Sequence, residues 1–175
     1  MPLRVADYLT SPRRCTLDSP IGPLLLIADD EGLTHVLFPN HGLPDLGLDP
    51  DEVPVIDDDP VLVATRKQLS EYFEGERAEF DLPLHVEGND FEVDVWSAMR
   101  TIPYGETISY GEQAERAGHA GAFQAVGATN GRNPLPIVVP CHRVIGSDGS
   151  LVGFGGGLAT KRQLLDLEAG VQRLF

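Results

Sequence analysis

Apolar residues fall in short, dense runs over the first forty positions and at helical spacing further on. Leu24-Leu25-Leu26-Ile27-Ala28 and Leu33-Thr34-His35-Val36-Leu37-Phe38 are strand-forming runs separated by Asp29-Asp30-Glu31-Gly32, a turn signal with a glycine suited to positive φ. They predict an antiparallel hairpin. A strand around Cys15-Thr16-Leu17 precedes it, ended by Ser19-Pro20-Ile21-Gly22-Pro23. From His41 to Asp59 the chain is rich in Pro, Gly and Asp, the pattern of an exposed acidic loop whose 45–59 stretch is a solvated face. Asp59-Pro60 then supplies an N-cap and a proline at the first helical position. Leu62, Thr65, Leu69 and Tyr72 recur at helical spacing up to Gly75, which predicts a helix over 60–73. Glu79-Phe80-Asp81-Leu82 predicts a further short strand, and His85 to Asn89 reads as a linker between two small domains, 1–85 and 86–175.

Beyond the linker the period is helical. Asn89 or Asp90 caps a helix with the apolar stripe Phe91, Val95, Met99 and Ile102, stopped by Pro103. Ser109-Tyr110-Gly111-Glu112 fits the capping box, opening a helix that Gly118 can end. The turn His119-Ala120-Gly121 leads into a second short helix over 122–130, packed with small residues that let its backbone approach a partner closely. Two short helices on a glycine-containing turn are the helix-turn-helix pattern. Ile137-Val138-Val139-Pro140 predicts a buried strand or extended run ahead of Cys141-His142-Arg143-Val144. A glycine-rich loop from Gly153 to Gly157 precedes a last helix from about Ala159 to Glu168, with Gly170 at its end.

Composition narrows the class. With 175 residues, 42% hydrophobic and 23% charged, the chain can bury a real core. No run nears the roughly 18 apolar residues a membrane span needs, and Met1 to Thr10 has no apolar core for a secretory signal, so a cytoplasmic protein without membrane partners is expected. Two cysteines make no disulfide framework, and no Cys/His spacing suggests a metal site. The net charge of −14 argues against a polyanionic partner until its distribution is considered. Residues 1–85 carry 6 basic and 17 acidic side chains, whereas 86–175 carry 7 and 10. Within 119–162 the only acid is Asp148, against Arg132, Arg143, Lys161 and Arg162, so a weakly cationic face is expected there.

Cys141 is the residue most suited to chemistry. A free thiol titrates near ~8.5, so a nucleophile at neutral pH needs a base or a positive environment, for which His142 and Arg143 are candidates. Adjacent residues on an extended chain point apart, so a Cys-His pair here needs a turn or a bridging water. Glu168 could orient His142 as the third group of a triad. The same pattern fits Cys141 as a small core hydrophobe, and residue types alone leave both readings open. His35, His41, His85 and His119 have no matching ligands and read as structural or exposed. The Gly153–Gly157 run lacks the Walker lysine and the dinucleotide spacing, and reads as a loop wrapping a ligand with its backbone.

Pro140-Cys141-His142-Arg143-Val144, with Asn133-Pro134 upstream and Gly155-Gly156-Gly157-Leu158 downstream, resembles the DNA-protein-cysteine alkyltransferases that repair O6-alkylguanine. The resemblance extends from Thr16-Leu17-Asp18-Ser19-Pro20-Ile21-Gly22 through Ile102-Pro103-Tyr104-Gly105-Glu106-Thr107-Ile108-Ser109-Tyr110 to Gly170. It implies an α+β protein: a small N-terminal antiparallel-sheet domain and a mainly helical C-terminal domain whose winged helix-turn-helix binds alkylated double-stranded DNA in the minor groove. A flipped guanine then enters a pocket beside the cysteine. By position, Cys141 is the nucleophile and His142 its base through water, with Glu168 fixing the imidazole. Tyr110 would bond a guanine ring nitrogen and help protonate the leaving base, and Asn133 would brace the active-site turn. The Val144 carbonyl would accept from the exocyclic amine, and Phe154, Gly155 and Gly156 would line the pocket. Gln124, Ala125, Gly127 and Arg132 would face DNA. The alkyl group stays on sulfur because a thioether is a poor leaving group, so each molecule reacts once, as a monomer and without a cofactor.

Two departures from the family pattern stand out. Gln124 occupies the position where the family usually has an arginine that enters the base stack. The N-terminal Cys/His set that holds zinc in some members is also unmatched, since Cys15 stands alone and Asp29 sits where a ligand would be, which implies no metal. Two other readings fit the same residues: a non-catalytic lesion binder of the alkyltransferase-like type, and a turnover hydrolase using Cys141, His142 and Glu168.

Overall fold

The computed structural model describes residues 8–171; positions 1–7, part of the stretch read as carrying no secretory signal, lie outside them. The chain divides into two compact units, 1–87 and 88–175. In the first, β1 (Arg13–Leu17), β2 (Leu24–Ala28) and β3 (Leu33–Leu37) form an antiparallel sheet in that order, with Cys15 opposite Leu26 and Leu26 opposite Val36. Every residue of β2 and β3 is buried, which is why their runs are apolar without alternation. One face packs Leu25, Ile27 and Leu37 against Leu46. The helix α1 (Pro60–Phe73) packs on the sheet through buried Leu62, Leu69 and Tyr72. Its cap is the predicted one: the Asp59 carboxylate accepts from Leu62 N at 3.0 Å.

Two expectations fail in this unit, both for long-range reasons. The 45–59 stretch is not simply a solvated face, because Leu46 and Val53 are buried in the core. Its backbone runs along the free side of β1, where Arg14 N donates to Pro54 O at 2.9 Å and Ile56 N to Arg14 O at 3.0 Å. That pairing covers an edge strand that would otherwise expose unmatched N–H and C=O groups. Nor do residues 79–82 form a strand. The Gln68 amide holds Asp81 in place at 2.9 and 2.8 Å, and the sheet is extended two residues later, where Leu84 bridges Leu33. The segment passes so close that a Cβ on Gly32 would sit 2.5 Å from Pro83 O, so the turn glycine is required by its neighbour.

Asp29 locks these pieces together. It is fully buried, accepting from Glu31 N and Gly32 N on one oxygen and from Thr10 N and His85 Nδ1 (2.7 Å) on the other. Burial opposes its charge, but these donors outweigh that and hold its carboxyl below the usual value.

The second unit is mainly helical. The helix α2 (Asp90–Met99) opens on a complete capping box, Glu92 N to Asn89 Oδ1 at 2.9 Å and Asn89 N to Glu92 Oε2 at 3.0 Å. The box expected at Ser109 is half made: Ser109 accepts from Glu112 N, but the Glu112 carboxylate turns to Arg116 at 2.7 Å. After β4 (Ile108–Ser109) come α3 (Tyr110–Arg116) and α4 (Phe123–Asn130), packed through Val95, Ala114 and Val126 and joined by a reciprocal Gln113–Asn130 amide pair. Residues 137–140 are a buried turn, with Ile137 at φ 73°, where a strand or extended run was expected. A short buried apolar run does not reveal by pattern which it is. A 3-10 turn over Cys141–Arg143 follows, then β5 (Val144–Ile145), parallel to β4, and finally α5 (Leu158–Glu168).

The Asp29–His85 contact carries a pH signature. Burial lowers the affinity of His85 for its proton, but Asp29, Glu87 and Glu31 outweigh that and raise its pKa above 6.5. A raised folded pKa stabilises the fold fully below the unfolded value, and that contribution is lost as pH rises through the folded one. In thermal melts by circular dichroism, His85→Ala is therefore expected to cost about 1–3 kcal/mol relative to the wild-type protein near pH 6, a difference that shrinks as pH rises through the folded pKa of His85.

Candidate active site

Cys141 opens the 3-10 turn, so Cys141 and His142 do not lie on an extended chain. Cys141 is partly accessible and lines a cleft of about 500 Å³, while His142, the next residue, is fully buried behind it. His142 Nε2 lies 2.6 Å from Glu168 Oε1. Since the carboxylate can only accept, Nε2 carries the proton and Nδ1 presents its lone pair. Among the described residues Nδ1 has no hydrogen-bond partner.

Glu168 is reached from several sides. Arg143 donates from Nε to Oε2 and from Nη2 to Oε1, each at 2.9 Å, and Gly105 N adds a bond at 3.2 Å. Arg143 also donates to Ile102 O at 2.7 Å and stands 5.7 Å over the Tyr104 ring. Burial pushes the Glu168 carboxyl up, but His142 and Arg143 overcome it and bring it down to about 2. Burial holds His142 below its ordinary 6.5, against the pull of Glu168. The Cys141 thiol is pushed up by burial; Asn133, Lys161 and nearby backbone N–H groups oppose the rise.

Several expected residues meet at the cleft: Tyr110, Gln124, Gly127, Phe154 and Gly155 line it together with Cys141. Tyr110 donates its hydroxyl to Val152 O at 2.9 Å, and burial raises its pKa, so it keeps its proton. Asn133 spans the turn before Cys141, donating to Val139 O at 2.8 Å and accepting from Leu135 N at 3.0 Å. Others lie elsewhere. Val144 is fully buried, its carbonyl accepting from Lys161 Nζ at 2.7 Å; Gly156 is buried; Ala125 is exposed on α4; Arg132 lies near Glu92 at 3.4 Å.

The weakly cationic face expected over 119–162 is reduced to half its charges. Arg143 and Lys161 are buried, leaving Arg132 and Arg162 outside. Both inward cations bind internal acceptors, because a buried charge is tolerated only where it is paired. Lys161 is the residue sequence reasoning missed: its ammonium joins the carbonyls of Val144, Val152 and Gly153 and so ties the cleft wall to β5. A signal existed. Lys161, Leu164 and Glu168 follow one helical stripe of α5, and two charges on a core-facing stripe mark an internal polar network. Phe123, Asn130 and Val152 at the cleft were also missed.

The Glu168 network predicts an acid-sensitive fold. A carboxyl depressed from 4.5 to about 2 adds stability at neutral pH that is lost as pH falls through that window. Glu168→Ala, which strands both His142 and Arg143, is expected to cost about 3–5 kcal/mol in denaturant unfolding and to remove most of this acid dependence.

Comparison with known proteins agrees with this architecture. Residues 13–86 match the family model of the 6-O-methylguanine DNA methyltransferase ribonuclease-like domain, and 90–170 that of the 6-O-methylguanine DNA methyltransferase DNA binding domain. The chain is 48% identical to a methylated-DNA–protein-cysteine methyltransferase of Mycobacterium bovis, over 87% of this chain and 90% of that one. A Methanosarcina acetivorans protein of the same name is 46% identical, over 86% and 94%. The crystal structure of Mycobacterium tuberculosis OGT in complex with DNA superposes with a TM-score of 0.79 at 45% identity, covering 91% of this chain and 93% of that one.

Proposed function

Since the chain belongs to the 6-O-methylguanine DNA methyltransferase family, with the direct-reversal DNA repair activity of its methylated-DNA–protein-cysteine methyltransferase relatives, we propose that Cys141 is the residue that accepts the alkyl group. The observation that carries this is a cysteine open to a cleft and backed by a fully buried His142–Glu168 pair.

Each neighbour then has a chemical task. Cys141 is a thiol at neutral pH, because burial raises its pKa, so activation requires a proton acceptor. His142 Nδ1 is that acceptor, through a bridging water, while Glu168 holds the Nε2 proton and stabilises the imidazolium that forms. Arg143 keeps Glu168 ionised, and Asn133 fixes the turn that aims the sulfur. The S–C bond forms as the C–O6 bond breaks in line, and the electron pair leaves with the guanine. Tyr110, released from Val152 O, bonds a guanine ring nitrogen and assists its protonation. The Val144 carbonyl has a second lone pair beside the one Lys161 uses, and that lone pair suits the exocyclic amine. Because the product is a thioether, nothing regenerates the thiol and each molecule reacts once.

Reaching the sulfur requires a nucleotide turned out of the duplex, and α3 with α4 is the element suited to the minor groove. Exposed Gln124 and Ala125 lie on the helix that flanks the cleft, as this docking needs. The 1–85 stretch carries none of these groups, so binding and transfer are assigned to the C-terminal unit of a monomeric, cytoplasmic protein. A non-catalytic binder is disfavoured, since Cys141 is present and lines the cleft.

Intact-protein mass after incubation with a duplex carrying one O6-methylguanine is expected to rise by a single methyl, localised to Cys141 and saturating at one per protein. Cys141→Ser should gain nothing while still shifting the duplex in a gel; unmodified wild-type protein would overturn the assignment. The transfer rate should also fall as pH drops below about 6.5, with an inflection on the acid side of ordinary imidazole, and His142→Ala should lose that limb together with about 100-fold in rate.

A further inference from the structure

A role for Phe123 rests on the alkyl-transfer reading. Phe123 is the first residue of α4 and is 53% exposed, the only aromatic among the large exposed hydrophobics of the described residues. It is not an isolated surface side chain. Phe123, Gly127 and Asn130 follow one face of α4, and that face walls the cleft containing Cys141. Val152, also 53% exposed, lines the same cleft. The cleft lining thus includes two largely exposed apolar side chains. Ala122, at the N-cap, makes no side-chain cap bond, so no capping side chain stands over the start of the helix. Next in the chain, Gln124 is exposed and uncharged.

An exposed phenyl ring lining a cleft of about 500 Å³ is poorly explained by stability, since burying it would have been favourable. It is well explained by DNA. A nucleotide that leaves the duplex breaks its stacking on both sides, and apolar side chains inserted from the minor groove replace that contact. A phenyl face stacks on any base, so such a wedge works whatever the sequence around the lesion. It also adds no charge, which suits a face from which Arg143 and Lys161 have been withdrawn. We propose that Phe123 is the stacking wedge of this protein: it enters the duplex beside the lesion and fills the gap left by the extruded nucleotide. Gln124 then hydrogen-bonds the polar edge of the base left unpaired. Phe123 is a positioning residue, acting on the duplex and not on the reacting atoms.

Single-turnover transfer from O6-methylguanine, measured in a duplex and in the same strand alone, tests the wedge. Extrusion limits only the duplex. Phe123→Ala is expected to slow duplex transfer about tenfold or more and single-strand transfer about threefold or less, while Phe123→Leu, which keeps an apolar wedge, retains at least about half the wild-type duplex rate. Equal losses on both substrates would make Phe123 a cleft wall or a folding residue and overturn the proposal, as would an unchanged duplex rate. If the wild-type protein accepts no alkyl group from either substrate, the alkyl-transfer reading itself fails and the wedge falls with it; transfer with an unaltered duplex-to-single-strand ratio sinks the wedge alone.

Discussion

The Glu168 carboxylate, buried at the end of α5, receives His142, Arg143 and the backbone of Gly105, and the geometry of the turn that carries Cys141 depends on that convergence. These donors come from a 3-10 turn and from the loop after α2, separated from Glu168 by 25 to 63 positions in the chain. A single ionised group thus ties the last helix to the first loop of its unit. The arrangement is stable only when complete, because a buried charge without its partner costs several kcal/mol. Arg143 therefore does more than neutralise: its fork fits both carboxylate oxygens and leaves one of them able to accept from His142 as well.

That convergence also sets the chemistry. With Glu168 ionised and bonded to Nε2, His142 has one tautomer and one free lone pair, at Nδ1. Burial lowers the basicity of His142 and raises the pKa of Cys141, so both groups are neutral in the resting site. A protein that reacts once has little need of a permanently ionised thiolate. A thiol that stays protonated is also less prone to adventitious alkylation and oxidation.

The distribution of charge carries a related lesson. Cations that look like a DNA face in the sequence are divided between surface and interior, with Lys161 holding the cleft wall and Arg143 holding Glu168. The cleft lining is apolar in part as well, with Phe123 and Val152 exposed along it. In the acidic N-terminal unit the charges serve local ends as well: Asp29 gathers Thr10, the hairpin turn and His85, and Asp59 caps α1 while binding Arg13 at 2.7 Å.

Local rules were enough for much of this protein. The hairpin, the helix over 60–73 with its Asp59 cap, the paired helices after Ser109 and the α+β class all follow from side-chain periodicity and capping chemistry, which act within a few residues. The Pro140–Val144 segment named the family and with it the nucleophile to consider, because the residues that carry the resemblance are neighbours in the chain. Other features depended on partners far away in sequence. The 45–59 stretch became an edge cover because β1 needed one, and the strand expected at 79–82 gave way to a bridge at Leu84 because Gly32 left room for it. The half-made box at Ser109 reflects competition from Arg116, and the inward turn of Lys161 reflects three carbonyls brought together from β5 and the glycine loop. Sequence determined which local structures were available and which residues carry the family resemblance. Tertiary structure alone decided which charges were buried and which aromatic was left exposed, because desolvation and pairing are set by groups that only folding brings within reach.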